Sequence, residues 1–167
     1  MPIVIPDNVK PVKVRLACPN STKGEGELVW VYPTENNQYI MGNIPADKNL
    51  PGLGDSFILN EHDDSFSVTK KVSRTGMLLW NTDGCNNKEE LIERYKPFYN
   101  HLEGKGVQVE GAVAGMVMIA IPVELSNEEL EQIIKDCPNI ILPESEEDWE
   151  HFRSINYAPA EAPGSTD

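Results

Sequence analysis

Four stretches of this chain hold residue types that could do chemistry. His62-Asp63-Asp64 sets an imidazole beside two carboxylates, the raw material of a metal site or an acid/base pair. The three are consecutive within Glu61-His62-Asp63-Asp64, which reads as a polar hairpin turn, and side chains fan outward from a turn rather than converging on one ion. His101 and His151 belong to other elements, so the reading is a solvated turn and no metal. Cys85, in Asp83-Gly84-Cys85-Asn86, precedes a helical pattern whose N-terminus could stabilise a thiolate. It has no partnered histidine, so it reads as a loop thiol. Pro51-Gly52-Leu53-Gly54-Asp55 has the glycines of a phosphate loop but lacks its Lys-Ser/Thr, and a strand pattern follows rather than a helix. It reads as a turn that starts a strand. Glu144, Glu146, Glu147, Asp148 and Glu150 crowd around Trp149. A glycosidase needs two carboxylates held across a cleft in different environments, which a run of like charges does not provide. An aromatic anchor among acids is instead the composition of a surface for a basic partner protein.

The elements that would position these residues follow from periodicity. Up to Thr75 the pattern is of short strands: VKVRLAC alternates from Val12 to Cys18, and GELVWVYPT places Leu28, Trp30 and Tyr32 on one face and Val29 and Val31 on the other. That strand is expected to be central and covered on both sides. Glu35-Asn36-Asn37 turns into QYIMGNI, and DSFILN and SFSVTKKV flank the second polar turn. The expectation is a small β-barrel-like part over residues 1–75.

Past Gly76 the period changes. MLLWNT reads as a strand, and Asn87 caps KEELIERYKPFYNHLEGKG, where Leu91, Ile92, Tyr95, Phe98, Tyr99 and Leu102 recur at helical spacing, kinked at Pro97. VQVEGAVAG and MVMIAIPV form a strand pair. Ser126 and Glu129 make a capping box for LSNEELEQIIKDC, and NIILP closes the series as a strand. Strand, helix, strand, strand, helix, strand over residues 76–143 is the order of a ferredoxin-like sandwich. The whole is expected to be one α+β unit, the barrel-like part packed on the ferredoxin-like part. Residues 144–155 read as an acidic helical extension docked by Trp149, Phe152 and Ile155. Residues 156–167, beginning NYAPAE, read as a flexible tail outside the fold.

Composition narrows the function classes. The 167 residues carry 14 Lys+Arg against 27 Asp+Glu, a net charge of −13 that repels phosphate backbones and anionic lipid surfaces. The acidity is concentrated. Residues 1–123 have net −3, with 12 basic and 15 acidic side chains, whereas residues 124–167 have net −10, with 2 basic and 12 acidic. Cys18, Cys85 and Cys137 form no CxxC pair, which suits a reducing cytoplasm rather than a disulfide scaffold. MPIVIPDNVKPVKV has neither the basic start nor the apolar run of a signal peptide, and no 18-residue apolar stretch occurs. These features predict no cofactor, no direct nucleic-acid or membrane binding, and no enzymatic activity. A small enzyme with an active site assembled from distant residues is the remaining catalytic alternative.

From Val29 through Leu142 the chain resembles an uncharacterised bacterial family, domain of unknown function 4265. The resemblance runs through YIMGNIP, Leu53-Gly54-Asp55, the SRTG of Ser73 to Gly76, GVQVEG and IAIPV. It implies a shared fold and a bacterial origin and transfers no catalytic residue. By kind, a small acidic protein without an active site also resembles immunity proteins, which bind and block one cognate toxin. That second resemblance implies a toxin partner with a basic cleft, met by Glu144, Glu146, Glu147, Asp148, Trp149 and Glu150. The alternative of another class is a non-catalytic regulatory binding module that uses the open face of a sheet.

Overall fold

The computed structural model describes residue 3, residues 5–111 and residues 115–156. The chain is mixed α+β with two sheets, and it divides into two compact units between Thr75 and Gly76.

The first unit is an antiparallel meander of β1 (Val12–Ala17), β2 (Gly26–Pro33), β3 (Gln38–Met41), β4 (Ser56–Leu59) and β5 (Phe66–Lys70), in that spatial order. Each hairpin is set by local turn chemistry. Asn36 and Asn37 lie at φ 53 and 60°, the paired left-handed positions that match the twist of β2 and β3. In the longer β4–β5 connection a single left-handed residue, Asp64 at φ 61°, reverses the chain, its N–H donating to the Asn60 carbonyl at 2.9 Å. One sheet face carries Leu16, Val29, Val31, Met41, Phe57 and Leu59 into a single core.

Two expectations fail here. The sheet is not closed into a barrel. Among the described residues β1 meets the β4–β5 turn through the Ala17 N–H to the Asp64 carbonyl at 2.9 Å and the Arg15–Asp64 ion pair at 2.9 Å. Closure needs a strand-length ladder between the first and last strands. Nor is β2 covered on both sides. It is paired on both edges, yet Leu28 and Trp30 remain 61% and 47% exposed, because β2's core is supplied by Val29 and Val31 alone.

Strand β6 (Ser73–Leu79) begins before the boundary and ends in the second unit's sheet, whose order is β6-β8-β7 with β7 at Gln108–Gly111 and β8 at Met116–Pro122. Between β6 and β7 runs α1 (Lys88–Gly104), which continues through Pro97. The Asn87 side chain accepts the Glu90 N–H, and Gly106 at φ 85° turns the chain beyond the helix end. Helix α2 (Asn127–Lys135) starts at a complete Ser126/Glu129 capping box. The segment read as a closing strand makes only one bridge, Trp80 with Ile140. Leu78, Trp80, Phe98, Leu102, Val117, Ile119, Ile121, Leu130 and Ile134 form this unit's core, with Trp80, Tyr95 and Phe98 in mutual ring contact.

Helix α3 (Glu146–Asn156) follows. Asn156 was expected to open a tail outside the fold, but it is the helix's last residue and is 2% exposed. The remaining tail positions, 157–167, lie outside the described residues. No helix among the described residues is long and apolar enough to cross a membrane.

A candidate partner-binding groove in the second unit

Helix α3 is built from the acidic run and starts where Ser145 can cap it. The Ser145 hydroxyl accepts the Asp148 N–H at 3.0 Å, and its carbonyl accepts the Trp149 N–H at 2.9 Å. Glu146, Glu147 and Asp148 occupy the first turn, where the helix dipole favours negative charge. Part of the acidity is therefore used locally.

Arg153 binds more of it. Its Nε donates to Glu131 at 2.9 Å and its Nη1 to Glu146 at 3.0 Å, and these carboxylates raise the guanidinium pKa further. The Trp149 ring lies 5.1 Å from the Lys135 ammonium and 5.7 Å from the Arg153 guanidinium, with Phe152 edge-on at 5.4 Å. The ring is half-buried on its own unit, between the half-buried Arg153 and the exposed Lys135. Of the six acidic-run positions singled out by sequence, Glu144 and Asp148 line one groove, Glu147 and Glu150 are exposed, Glu146 is paired with Arg153, and Trp149 lines no part of the groove.

That groove has a volume of about 510 Å³, within the range of ordinary ligand sites. Met77, Leu79, Ile141, Leu142, Phe152 and Ile155 give it an apolar lining, while Glu144, Asp148 and His151 add polar groups. Leu79 and Ile141 are 49% and 54% exposed, and the Ile141 N–H donates to the Leu79 carbonyl at 2.9 Å. Their exposure follows from the pleat: Leu78 and Trp80 enter the core, so Leu79 must face the other way, and Ile140 and Ile141 divide likewise. Sequence reasoning missed both. The signal was available, because two consecutive apolar residues in a half-buried strand cannot share a face.

The other stretches are structural. Asp63 accepts from the Ser65 N–H and hydroxyl at 3.0 and 2.6 Å, which lowers its pKa, while Asp64 pairs with Arg15. Among the described residues no group of three or more His, Cys, Asp and Glu side chains could hold a metal ion. Cys85 lies in a shallow depression lined by Glu89, Glu90, Glu93 and Arg94, where the Arg94 guanidinium donates to the Asn81 and Asp83 carbonyls.

Asp55 is the most connected of the candidates. Its side chain is fully buried, and its two oxygens accept the Gly52, Val72 and Ser73 N–H groups and the Lys71 ammonium, the last at 2.7 Å. All four acceptor positions of the carboxylate are used, which leaves none for a substrate. Asp55 ties the Gly52–Gly54 turn to the start of β6. A Cβ on Gly52 would stand 2.6 Å from the Ser73 hydroxyl, so that glycine is fixed by close approach.

No family model matches the chain, and no curated protein matches it. Its structure is similar to that of a hypothetical protein from Neisseria gonorrhoeae, at 11% sequence identity and a TM-score of 0.47 over 78% of this chain and 87% of that one.

Proposed function

We propose that the protein acts by binding, as an immunity-type inhibitor of a bacterial toxin domain whose basic cleft meets the acidic surface of the second unit. The observation that carries this reading is the groove edged by Glu144 and Asp148, beside exposed Glu147 and Glu150, in a region of net −10. Apolar lining supplies affinity and the acids supply steering, the division of labour typical of a specific protein interface. In this reading the partner is a cognate toxin and the compartment a reducing cytoplasm, and the chain shares the fold of the domain of unknown function 4265 family. The second unit is then a ferredoxin-like sandwich in which the Ile140 bridge to Trp80 stands for the fourth strand.

A second reading is a regulatory binding module whose contact surface is the outer face of the five-stranded sheet. Exposed Leu28, Trp30 and Ile58 favour it. An immunity gene is expected to lie beside its toxin gene, so expressing the toxic domain of such a neighbour in cells with and without the protein separates the two. Rescue is expected from an immunity protein, and equal killing in both cases would remove that reading while leaving the regulatory one.

A further inference from the structure

We propose that the groove takes a partner segment with one large apolar side chain flanked by Lys or Arg, the apolar group seated between Leu79 and Ile141 and the cations set against Glu144 and Asp148. This rests on the reading of the protein as a binder of a basic partner and adds which feature of that partner is recognised. The lining suits an apolar group. Met77, Leu79, Ile141, Phe152 and Ile155 converge on a space of about 510 Å³, the size for one or two large side chains, and Leu79 and Ile141 are half exposed side by side. Apolar surface of this kind gains free energy when a further apolar group covers it.

The groove's charge suits a cation beside that group. Glu144 and Asp148 make no ion pair among the described residues, and both line the groove, so a cation beside the apolar anchor has two carboxylates to meet. The same charges set two other occupants aside. Residues 157–167 contain Glu161 and Asp167 and no Lys or Arg. A second copy placing the same groove against this one would bring its own Glu144 and Asp148 into repulsion.

The test uses synthetic nonapeptides of alternating lysine and serine with phenylalanine at the centre, compared with the same peptide bearing alanine at the centre and with one bearing glutamate for lysine. Dissociation constants come from amide NMR shifts of the full-length protein. The phenylalanine–lysine peptide should bind about tenfold tighter than either control, a difference of about 1.4 kcal/mol, with shifts at Leu79, Ile141 and Asp148. Leu79→Ser should weaken it about tenfold with little change in melting temperature, since that side chain is half exposed, and Asp148→Lys should weaken it about tenfold with a small fall in melting temperature, since Asp148 lies in the acidic first turn of α3.

Equal binding of the phenylalanine and alanine peptides, no binding of either, or unchanged affinity in Leu79→Ser would overturn the inference. So would displacement of the basic peptide by a peptide of residues 157–167, or a dimer that Leu79→Ser dissolves. If the cognate toxin domain still binds when the peptide results fail, this inference alone falls. If the toxin domain does not bind at all, the reading beneath it falls while the peptide result still decides the groove.

Discussion

The side chain of Asn156 completes the edge of β6 at Met77: its Oδ1 accepts the Met77 N–H at 2.9 Å while its Nδ2 donates to the Phe152 carbonyl at 3.0 Å. In a strand, residues two apart present their backbone groups to the same edge, and Leu79 already bonds Ile141 there. Continued pairing would bring Pro143 opposite Met77, but the chain turns away at Pro143 into α3. The last residue of that helix returns to supply the missing acceptor.

Asn156→Ala should therefore destabilise the protein by about 1–3 kcal/mol, the cost of a buried donor left without a partner. Gly76→Ala should act at the same contact, because its Cβ would stand 2.5 Å from the Asn156 Oδ1. Urea unfolding of both variants checks this; wild-type midpoints in both would refute the role given to Asn156.

This contact also marks where sequence reasoning stops. Ser126 with Glu129, Asn87 as the N-cap of α1, and the Asn36-Asn37 turn were legible because each acts within one turn of chain. Asn156 bonds Met77 across most of the second unit, and a lone Asn beside Pro and Ala carries no local trace of that. The acidic run was visible as charge, but the groove was not, since Leu79 and Ile141 come from different elements. The barrel expectation failed for a related reason: strand count is local, while closure depends on whether β1 and β5 pair.

Asp55→Asn should cost about 3 kcal/mol or more, because an amide cannot accept from all four donors and leaves Lys71 without its carboxylate. Lys71→Met should cost less, as its side chain is partly exposed and its loss still leaves three backbone donors on Asp55. Denaturation curves for the pair give the order; a milder effect of Asp55→Asn than of Lys71→Met would contradict it.

Burial of Cys137 pushes its thiol up to about 11 from the ordinary 9.0. Its raised pKa means the unfolded chain releases this proton first, so stability conferred by the neutral thiol is intact below pH about 9 and declines from there toward pH about 11. Melting temperatures from pH 8 to 10.5 should fall more steeply in the wild type than in Cys137→Ala. Identical alkaline slopes would show that this thiol does not titrate differently on folding.

Trp149→Ala should lower stability and leave the association rate with a partner nearly unchanged, since the ring packs on Phe152, Lys135 and Arg153. Melting temperature and binding kinetics measured on the same preparation separate the two effects. A normal melting temperature with accelerated dissociation would place the ring in the interface instead.

The central claim, that acidic groups of the second unit receive a basic partner, is tested most directly by stopped-flow association with the cognate toxic domain that the proposed function calls for. The rate constant should fall about tenfold or more between low salt and 0.5 M salt while dissociation changes little, as expected when screening acts on the encounter. Combined Glu147→Lys, Asp148→Lys and Glu150→Lys substitutions should slow association at low salt and flatten its salt dependence. A rate indifferent to both salt and charge reversal would contradict the account.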